Sequence, residues 1–278
     1  MAVATDLLER AVYAALAEDV GEGDVTTEAT VDAEALGSAV LVLREHGVVC
    51  GLRAAETVFR ALDDGLDFDS LVEEGALVEG GAVARVTASE RAILTGERTA
   101  LNFLARLSGI ATLTKRYVDA VAGTGVAILD TRKTTPGLRA LEKHAVSMGG
   151  GRNHRFGLDD GVLVKDNHLR ASGSIAQAVE RLRAATDLPI EVECDTLLQV
   201  EEAVAVGTDA ILLDNMGLDE LRAAVALVDG RARLEASGGV TLETVRAIAE
   251  TGVDEISVGA LTQSAPSLDV SQIGRAHV

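Results

Sequence analysis

Residues 190–214 read IEVECDTLLQVEEAVAVGTDAILLD. Ile190–Cys194 is a short β-rich run, 196–206 has the apolar spacing of an amphipathic helix, and Ala210–Asp214 is a second run that is almost wholly apolar. A strand, a helix and a strand in so short a span make a βα unit, whose strands pair in parallel. The rhythm continues on both sides. Further strands are expected at Val126–Asp130, Val162–Lys165, Arg233–Ala236 and Glu255–Val258, with helices near 137–148, 174–186, 218–228 and 241–251. Repeated right-handed crossovers close such strands into a barrel or lay them in an open doubly wound sheet. No G-x-G-x-x-G follows a strand, which speaks against a dinucleotide-binding sheet. Polar residues stand at or just after the strand ends: Asp130 and Arg132, Lys165, Glu193 and Asp195, Asp214, Ser237 and Gly259. That rim is where α/β barrels build their active sites.

The first part of the chain lacks this alternation. Up to about residue 105 it reads as an N-terminal amphipathic helix, short strands (Ala39–Leu43, Gly47–Val49, Gly81–Thr87), a helix at Ala54–Leu62 and a longer one from Ser89 to Leu107. This is the pattern of a small α+β domain.

Hydrophobic residues make up 47% of the 278, enough for a large core, but aromatics are only 2%, so Val, Leu, Ile and Ala must fill it. No apolar run approaches the ~20 residues of a membrane helix. The acidic, amphipathic start is no signal peptide, and Cys50 and Cys194 have no metal-type spacing; reduced thiols and a cytoplasmic location are expected. The net charge is −19, from 44 acids and 25 bases, which repels nucleic acid and anionic membranes. Only four bases are Lys, a composition that suggests a salt-rich cytoplasm, where screening mutes self-repulsion, with compositional drift toward Arg and Ala as the alternative.

One window departs from this. Residues 131–170 hold eight bases (Arg132, Lys133, Arg139, Lys143, Arg152, Arg155, Lys165, Arg170) and four acids, so the window is +4 and the remainder −23. A cationic island in an acidic chain suggests a site for a small, highly charged anion; surface salt bridges are the alternative. Ser237-Gly238-Gly239 and Ser257-Val258-Gly259 follow the last two strands, where glycine lets backbone N–H groups approach a phosphate. Glu193 and Asp214 end adjacent strands and could hold Mg²⁺, bind sugar hydroxyls or do acid–base work, or simply support the rim cations through salt bridges. Lys165 alone could form a Schiff base, as in an aldolase or lyase, though that chemistry does not call for so many other cations.

Several strings carry a family resemblance: ERTALNFLARLSGIAT (97–112), DTRKTTPGLRALEKHAVSMGGGRNHRFGLDDGVLVKDNH (130–168), EVECD (191–195), LLDNM (212–216), EASGGV (235–240), SVGALTQSAPSLD (257–269) and EDVGEGDVTTEAT (18–30). In this order they resemble the quinolinate phosphoribosyltransferases along nearly the whole chain. One departure is His144, where members usually carry Tyr, which alters a local packing contact.

The resemblance implies transfer of phosphoribose from phosphoribosyl pyrophosphate to quinolinate, with Mg²⁺, giving nicotinate mononucleotide, CO2 and pyrophosphate. It implies an incomplete TIM-like α/β barrel (109–265) with an N-terminal α+β sandwich domain (1–108), and a C-terminal segment (266–278) that returns to the latter. Thr131, Arg132, His154, Arg155 and Lys165 would bind quinolinate, joined by Arg98 of another subunit, so the active unit is at least a homodimer. Lys133 with Mg²⁺ would neutralise pyrophosphate. Glu193 and Asp214 would hold ribose hydroxyls or the metal. Ser237, Gly238, Gly239, Val258, Gly259 and Ala260 would bind the 5-phosphate. Lys133, Lys165, Glu193 and Asp214 are the implied catalytic set, while Arg139 and Lys143 either support it from the following helix or lie on the surface. A same-fold paralogue working on another small acid, or a non-catalytic binder of phosphorylated metabolites, remains the second alternative.

Overall fold

The structure is a computed structural model and describes residues 3–275. In chain order the elements are α1 (Thr5–Val20), α2 (Val25–Thr30), β1 (Leu36–Leu43), β2 (Gly47–Val48), α3 (Leu52–Leu62), β3 (Asp67–Ser70), β4 (Leu77–Val78), β5 (Gly81–Ser89), α4 (Glu90–Ala120), β6 (Ala127–Leu129), α5 (Arg139–Met148), β7 (Val162–Val164), α6 (Asp166–Ser172), α7 (Ile175–Ala185), β8 (Ile190–Cys194), α8 (Leu197–Ala205), β9 (Ala210–Asp214), α9 (Leu218–Val228), β10 (Arg233–Ser237), α10 (Val245–Ala249), β11 (Glu255–Ser257), α11 (Ala260–Gln263) and β12 (Val270–Arg275). They form two compact units. One holds the described residues up to Lys115, Thr134–Gly150 and those from Leu261 onward; the other holds Arg116–Lys133 and Gly151–Ala260.

The first unit is built on an antiparallel sheet of order β12-β1-β5-β3. β1 alternates strictly, with Ala39, Leu41 and Leu43 at most 1% exposed while the residues between them are half-buried. That is the period of two by which a strand turns one face to a core. β12 pairs with β1 from Leu43↔Val270 to Ser38↔Arg275. α4 is the main departure from the expected helix: it does not stop at Leu107 but runs on through Ser108-Gly109. A Cβ at Gly109 would strike the Pro266 carbonyl, so glycine admits the C-terminal segment against the helix. A close approach, rather than a helix end, explains this glycine. Gly149 does the same for the end of α5 against the Ala111 carbonyl.

The second unit is a parallel six-stranded sheet of order β6-β11-β10-β9-β8-β7. Each strand from β7 to β11 lies beside its sequence neighbour, and β6 joins at β11, so the order is cyclic except that β6 and β7 do not pair. This is an incomplete TIM-like barrel with one open seam. Beside the seam Arg152 bridges to β6, its N–H donating to Ile128 O (2.8 Å) and its carbonyl accepting from Asp130 N (3.2 Å). β9 is buried along Ala210–Leu213, as parallel strands covered on both faces must be. Each such Ile or Leu contributes about 1.5–3 kcal/mol of burial.

The short strands β3, β4 and β12 and the helices α2 and α6 are additions to the sequence reading. α6 follows β7 directly, with Lys165 at its N-cap.

Candidate active site

The register aligns the C-terminal ends of the parallel strands. Val164 lies opposite Val192, Ser237 opposite Asp214, and Leu129 opposite Ser257. Residues just beyond these pairs therefore gather on one rim. Lys165 and Glu193 each follow the Val164–Val192 pair by one position, and the Lys165 ammonium meets Glu193 Oε2 at 2.7 Å. Asp214 ends β9, with its Oδ2 accepting from Asn215 Nδ2 at 2.7 Å.

Gly238 follows β10 with φ +98°, and a Cβ there would collide with Asn215 Oδ1. Both the backbone angle and the space demand glycine. Gly239 is also left-handed, at φ +61°. Val258 extends β11 by donating its N–H to Leu129 O (2.9 Å), and Gly259 and Ala260 lead into α11.

The cationic side of the rim is held by one buried carboxylate. Asp130 is 0% exposed; its Oδ1 accepts from His154 N (2.9 Å) and its Oδ2 from Asn153 Nδ2 (2.6 Å). This fixes the segment 153–155 against the end of β6. Arg155 is steadied further by donating from Nη1 to Gly161 O (3.1 Å). Burial and, next, the Arg132 charge hold the Arg155 guanidinium below its usual pKa. Arg132 is half-buried, and its Nε is buried with no hydrogen-bond partner. A buried donor left unmade costs ~1–3 kcal/mol, so two adjacent guanidiniums with an orphan N–H mark a place for an anion. Thr131 Oγ1 accepts from Lys133 N (3.0 Å), which forms a tight turn just after the strand, and Lys133 is exposed.

His154 belongs to a cluster that composition and motif did not reveal. Its Nε2 lies 3.1 Å from Glu191 Oε2 and 3.3 Å from Glu235 Oε2, and Ser257 Oγ donates to Glu235 Oε1. Glu191 and Glu235 are 6% and 1% exposed. Burial by itself lowers the His154 pKa, but the two carboxylates outweigh it and push it up to about 10. Burial pushes the Glu235 carboxyl up as well. The Arg155 N–H donates to His154 Nδ1 at 2.7 Å, so the ring proton sits on Nε2, between the carboxylates. The sequence did hold a signal: Glu191 is two positions from Glu193, and Glu235 two from Ser237, so each shares a strand face with a rim residue.

Arg139, Lys143 and Arg98 lie in the first unit. Arg139 Nε donates to Thr134 Oγ1 (3.0 Å). Lys143 is 3% exposed, so the surface alternative for it is wrong. Its helix is amphipathic, and 143 falls on the inward stripe with Leu141, Glu142 and Ala145. Arg98 is exposed on α4. Sequence reading also missed Arg106. Its Nη2 donates to Glu142 Oε1 (2.8 Å) and Nη1 to Ala265 O (3.0 Å), while Thr135 donates to both oxygens of Glu142.

The sequence model of the quinolinate phosphoribosyl transferase N-terminal domain matches residues 24–108, and that of the C-terminal domain matches 110–272. The chain belongs to the quinolinate phosphoribosyl transferase family. Within it, the chain is 48% identical over 262 residues to a probable nicotinate-nucleotide pyrophosphorylase [carboxylating] of Synechocystis sp., covering 92% of this chain and 88% of that one. It is 46% identical over 278 residues to the nicotinate-nucleotide pyrophosphorylase [carboxylating] of Mycobacterium leprae, covering 96% and 95%. The solved structure of the nicotinate-nucleotide pyrophosphorylase from Francisella tularensis superposes with a TM-score of 0.95 at 37% identity, over 99% of this chain and 98% of that one. Among the described residues, no helix of this family member is long and apolar enough to cross a membrane.

Proposed function

We propose that this chain is a carboxylating nicotinate-nucleotide pyrophosphorylase, a pentosyltransferase that feeds quinolinate into NAD synthesis. It joins quinolinate to phosphoribosyl pyrophosphate and releases pyrophosphate and CO2, leaving nicotinate mononucleotide. The observation that carries this reading, beside family membership, is the buried unpartnered Nε of Arg132 next to Arg155. A dicarboxylate supplies the negative charge and the acceptor oxygens that these guanidiniums lack.

No protein nucleophile is required. Pyrophosphate leaves ribose C1 with the electron pair of the C–O bond, and the pyridine nitrogen donates its lone pair to the carbon so exposed. The ring nitrogen becomes cationic. The adjacent carboxylate then departs as CO2, its electron pair staying on C2 until a proton from solvent replaces it. The chain's work is positioning and charge. Thr131, Arg132, His154, Arg155 and Lys165 would hold quinolinate, with Arg98 entering from a second copy in a homo-oligomer. Lys133 would offset charge on the departing pyrophosphate. Ser237–Gly239 and Val258–Ala260 would take the 5-phosphate.

Glu193 and Asp214 are half-exposed carboxylates at the rim, and their contacts with Lys165 and Asn215 engage one oxygen of each. Such hard donors suit Mg²⁺, which when bound with the sugar donor would draw off pyrophosphate charge. The ion pair to Glu193 also weighs against a Schiff base at Lys165, because the nitrogen that would attack a carbonyl is engaged by a carboxylate. The acidic, Lys-poor surface fits a salt-rich cytoplasm.

The test is direct. Purified protein given quinolinate, phosphoribosyl pyrophosphate and Mg²⁺ should release pyrophosphate and CO2 in equal amounts, and nicotinate should not replace quinolinate. Absence of pyrophosphate release would remove the proposal, and borohydride trapping of a carbonyl substrate on Lys165 would replace it with the lyase.

A further inference from the structure

Away from the rim, the first unit gathers Cys50, Glu74 and His144. One ligand atom from each, the Cys50 sulfur, a Glu74 oxygen and a His144 ring nitrogen, lies within 4.8 Å of the others. We propose that these three side chains form a binding site for a zinc-type divalent ion. The site uses none of the residues assigned to the phosphoribosyl reaction, and it does not depend on that reading.

Each ligand stands on backbone that is already fixed. Cys50 donates its N–H to Ser108 Oγ (3.0 Å), and that hydroxyl donates back to Cys50 O (3.0 Å). The Glu74 carboxylate accepts from Gly51 N (3.1 Å) and Arg53 N (3.2 Å) at the start of α3. Its loop is clamped by Gly75 N–H donating to Val49 O (2.8 Å) and Val49 N–H donating to Ala76 O (2.9 Å). His144 comes from α5. Four residues on, Met148 lies on the same helix face, and its sulfur is 3.5 Å from where a Gly75 Cβ would be. The face of α5 that carries His144 is therefore the face turned to the Glu74 loop.

The donor set is sulfur, nitrogen and oxygen. Bonds of about 2.0–2.3 Å to a tetrahedral zinc are within reach of ligand atoms that all lie within 4.8 Å of one another, with at most small side-chain rotations. Water completes the coordination from the side of half-buried His144. Cys50 is buried. Its thiol is pushed well above its ordinary pKa by burial and then by the Glu74 charge, so at neutral pH it holds its proton. A divalent ion reverses this local balance: the Cys50 S–H proton leaves to solvent as the sulfur–metal bond forms, and Glu74 becomes a co-ligand of the same cation. Mg²⁺, which avoids sulfur, would not compete.

Cobalt(II) reports such a site in the intact protein. After chelator treatment, titration with Co²⁺ should produce a thiolate-to-cobalt charge-transfer band and the visible bands of four-coordinate cobalt, both abolished by added Zn²⁺. His144→Gln should lose both sets of bands, and Zn²⁺ should raise the melting temperature of the wild type but not of that variant. His144 is half-buried, so this substitution keeps the fold even where Cys50→Ala does not. No thiolate band in the wild type would overturn the proposal. So would a band that persists in His144→Gln, or in a folded Cys50→Ala, where Cys194 would be its source.

Discussion

Arg106 Nη2 donates to Glu142 Oε1 at 2.8 Å, and Glu142 has no solvent exposure at all. The guanidinium also donates to the carbonyls of Thr262 and Ala265. One side chain of α4 thus neutralises a buried acid of α5 and anchors the segment before β12. Arg106→Ala leaves a buried carboxylate without its counter-charge and should cost about 3–5 kcal/mol. Urea denaturation checks this; a loss below about 1 kcal/mol would mean that Thr135 alone supports Glu142.

In the proposed reaction Arg155 would serve quinolinate binding and Lys133 the departure of pyrophosphate. Each alanine variant should lower activity more than tenfold with the melting temperature nearly unchanged. Arg155→Lys should not restore function, because an ammonium cannot reproduce a planar two-pronged contact. Steady-state kinetics with each substrate varied in turn decide it. Near-normal turnover in either alanine variant would take that residue out of the site.

The buried cluster of His154, Glu191 and Glu235 makes stability depend on pH. The unfolded histidine titrates at 6.5 and the native one at about 10, a raised pKa. Its contribution is therefore complete below about pH 6.5 and is lost as pH rises through about 10. The raised pKa of Glu235 acts in the same direction. Glu235→Gln removes one of the two carboxylates that hold the proton, so its melting temperature should fall less steeply between neutral pH and pH 10 than that of the wild type. Parallel curves for the two proteins would show that the cluster holds no extra proton.

Gly238→Ala should weaken use of phosphoribosyl pyrophosphate more than use of quinolinate. The added methyl meets Asn215, and φ of +98° resists any side chain, so the turn after β10 must shift. The measurement is KM for each substrate. An equal rise in both would place the turn away from the phosphate.

Much of the barrel was legible because its strands are short apolar runs between amphipathic helices. β8, β9 and α9 fall where hydrophobic period alone places them. What escaped notice had its cause in tertiary contacts. α4 passes Gly109 because another chain segment, rather than a turn, claims the space beside it. β12 pairs across the sequence with β1; the family resemblance implied the return of the C-terminal segment, but no turn signal marked the strand itself. At the site, the rim cations stood out against an acidic chain, whereas Glu191 and Glu235 are acids among many acids. Only their burial, and the imidazole between them, sets them apart. His144 read as a packing change because Cys50 and Glu74 lie about ninety and seventy positions away in the chain.

The chain passes between its two compact units after Lys115, Lys133, Gly150 and Ala260. Neither unit is a continuous stretch of gene. A fragment ending at Lys115 would lack β12 and leave β1 with a bare edge, inviting pairing between molecules. A fragment of residues 116–260 would carry α5 without the α4 residues, Arg106 among them, that neutralise Glu142. Dissecting this protein into halves would therefore yield aggregates, and any insertion or fusion is better sited at a surface turn than at the apparent domain border.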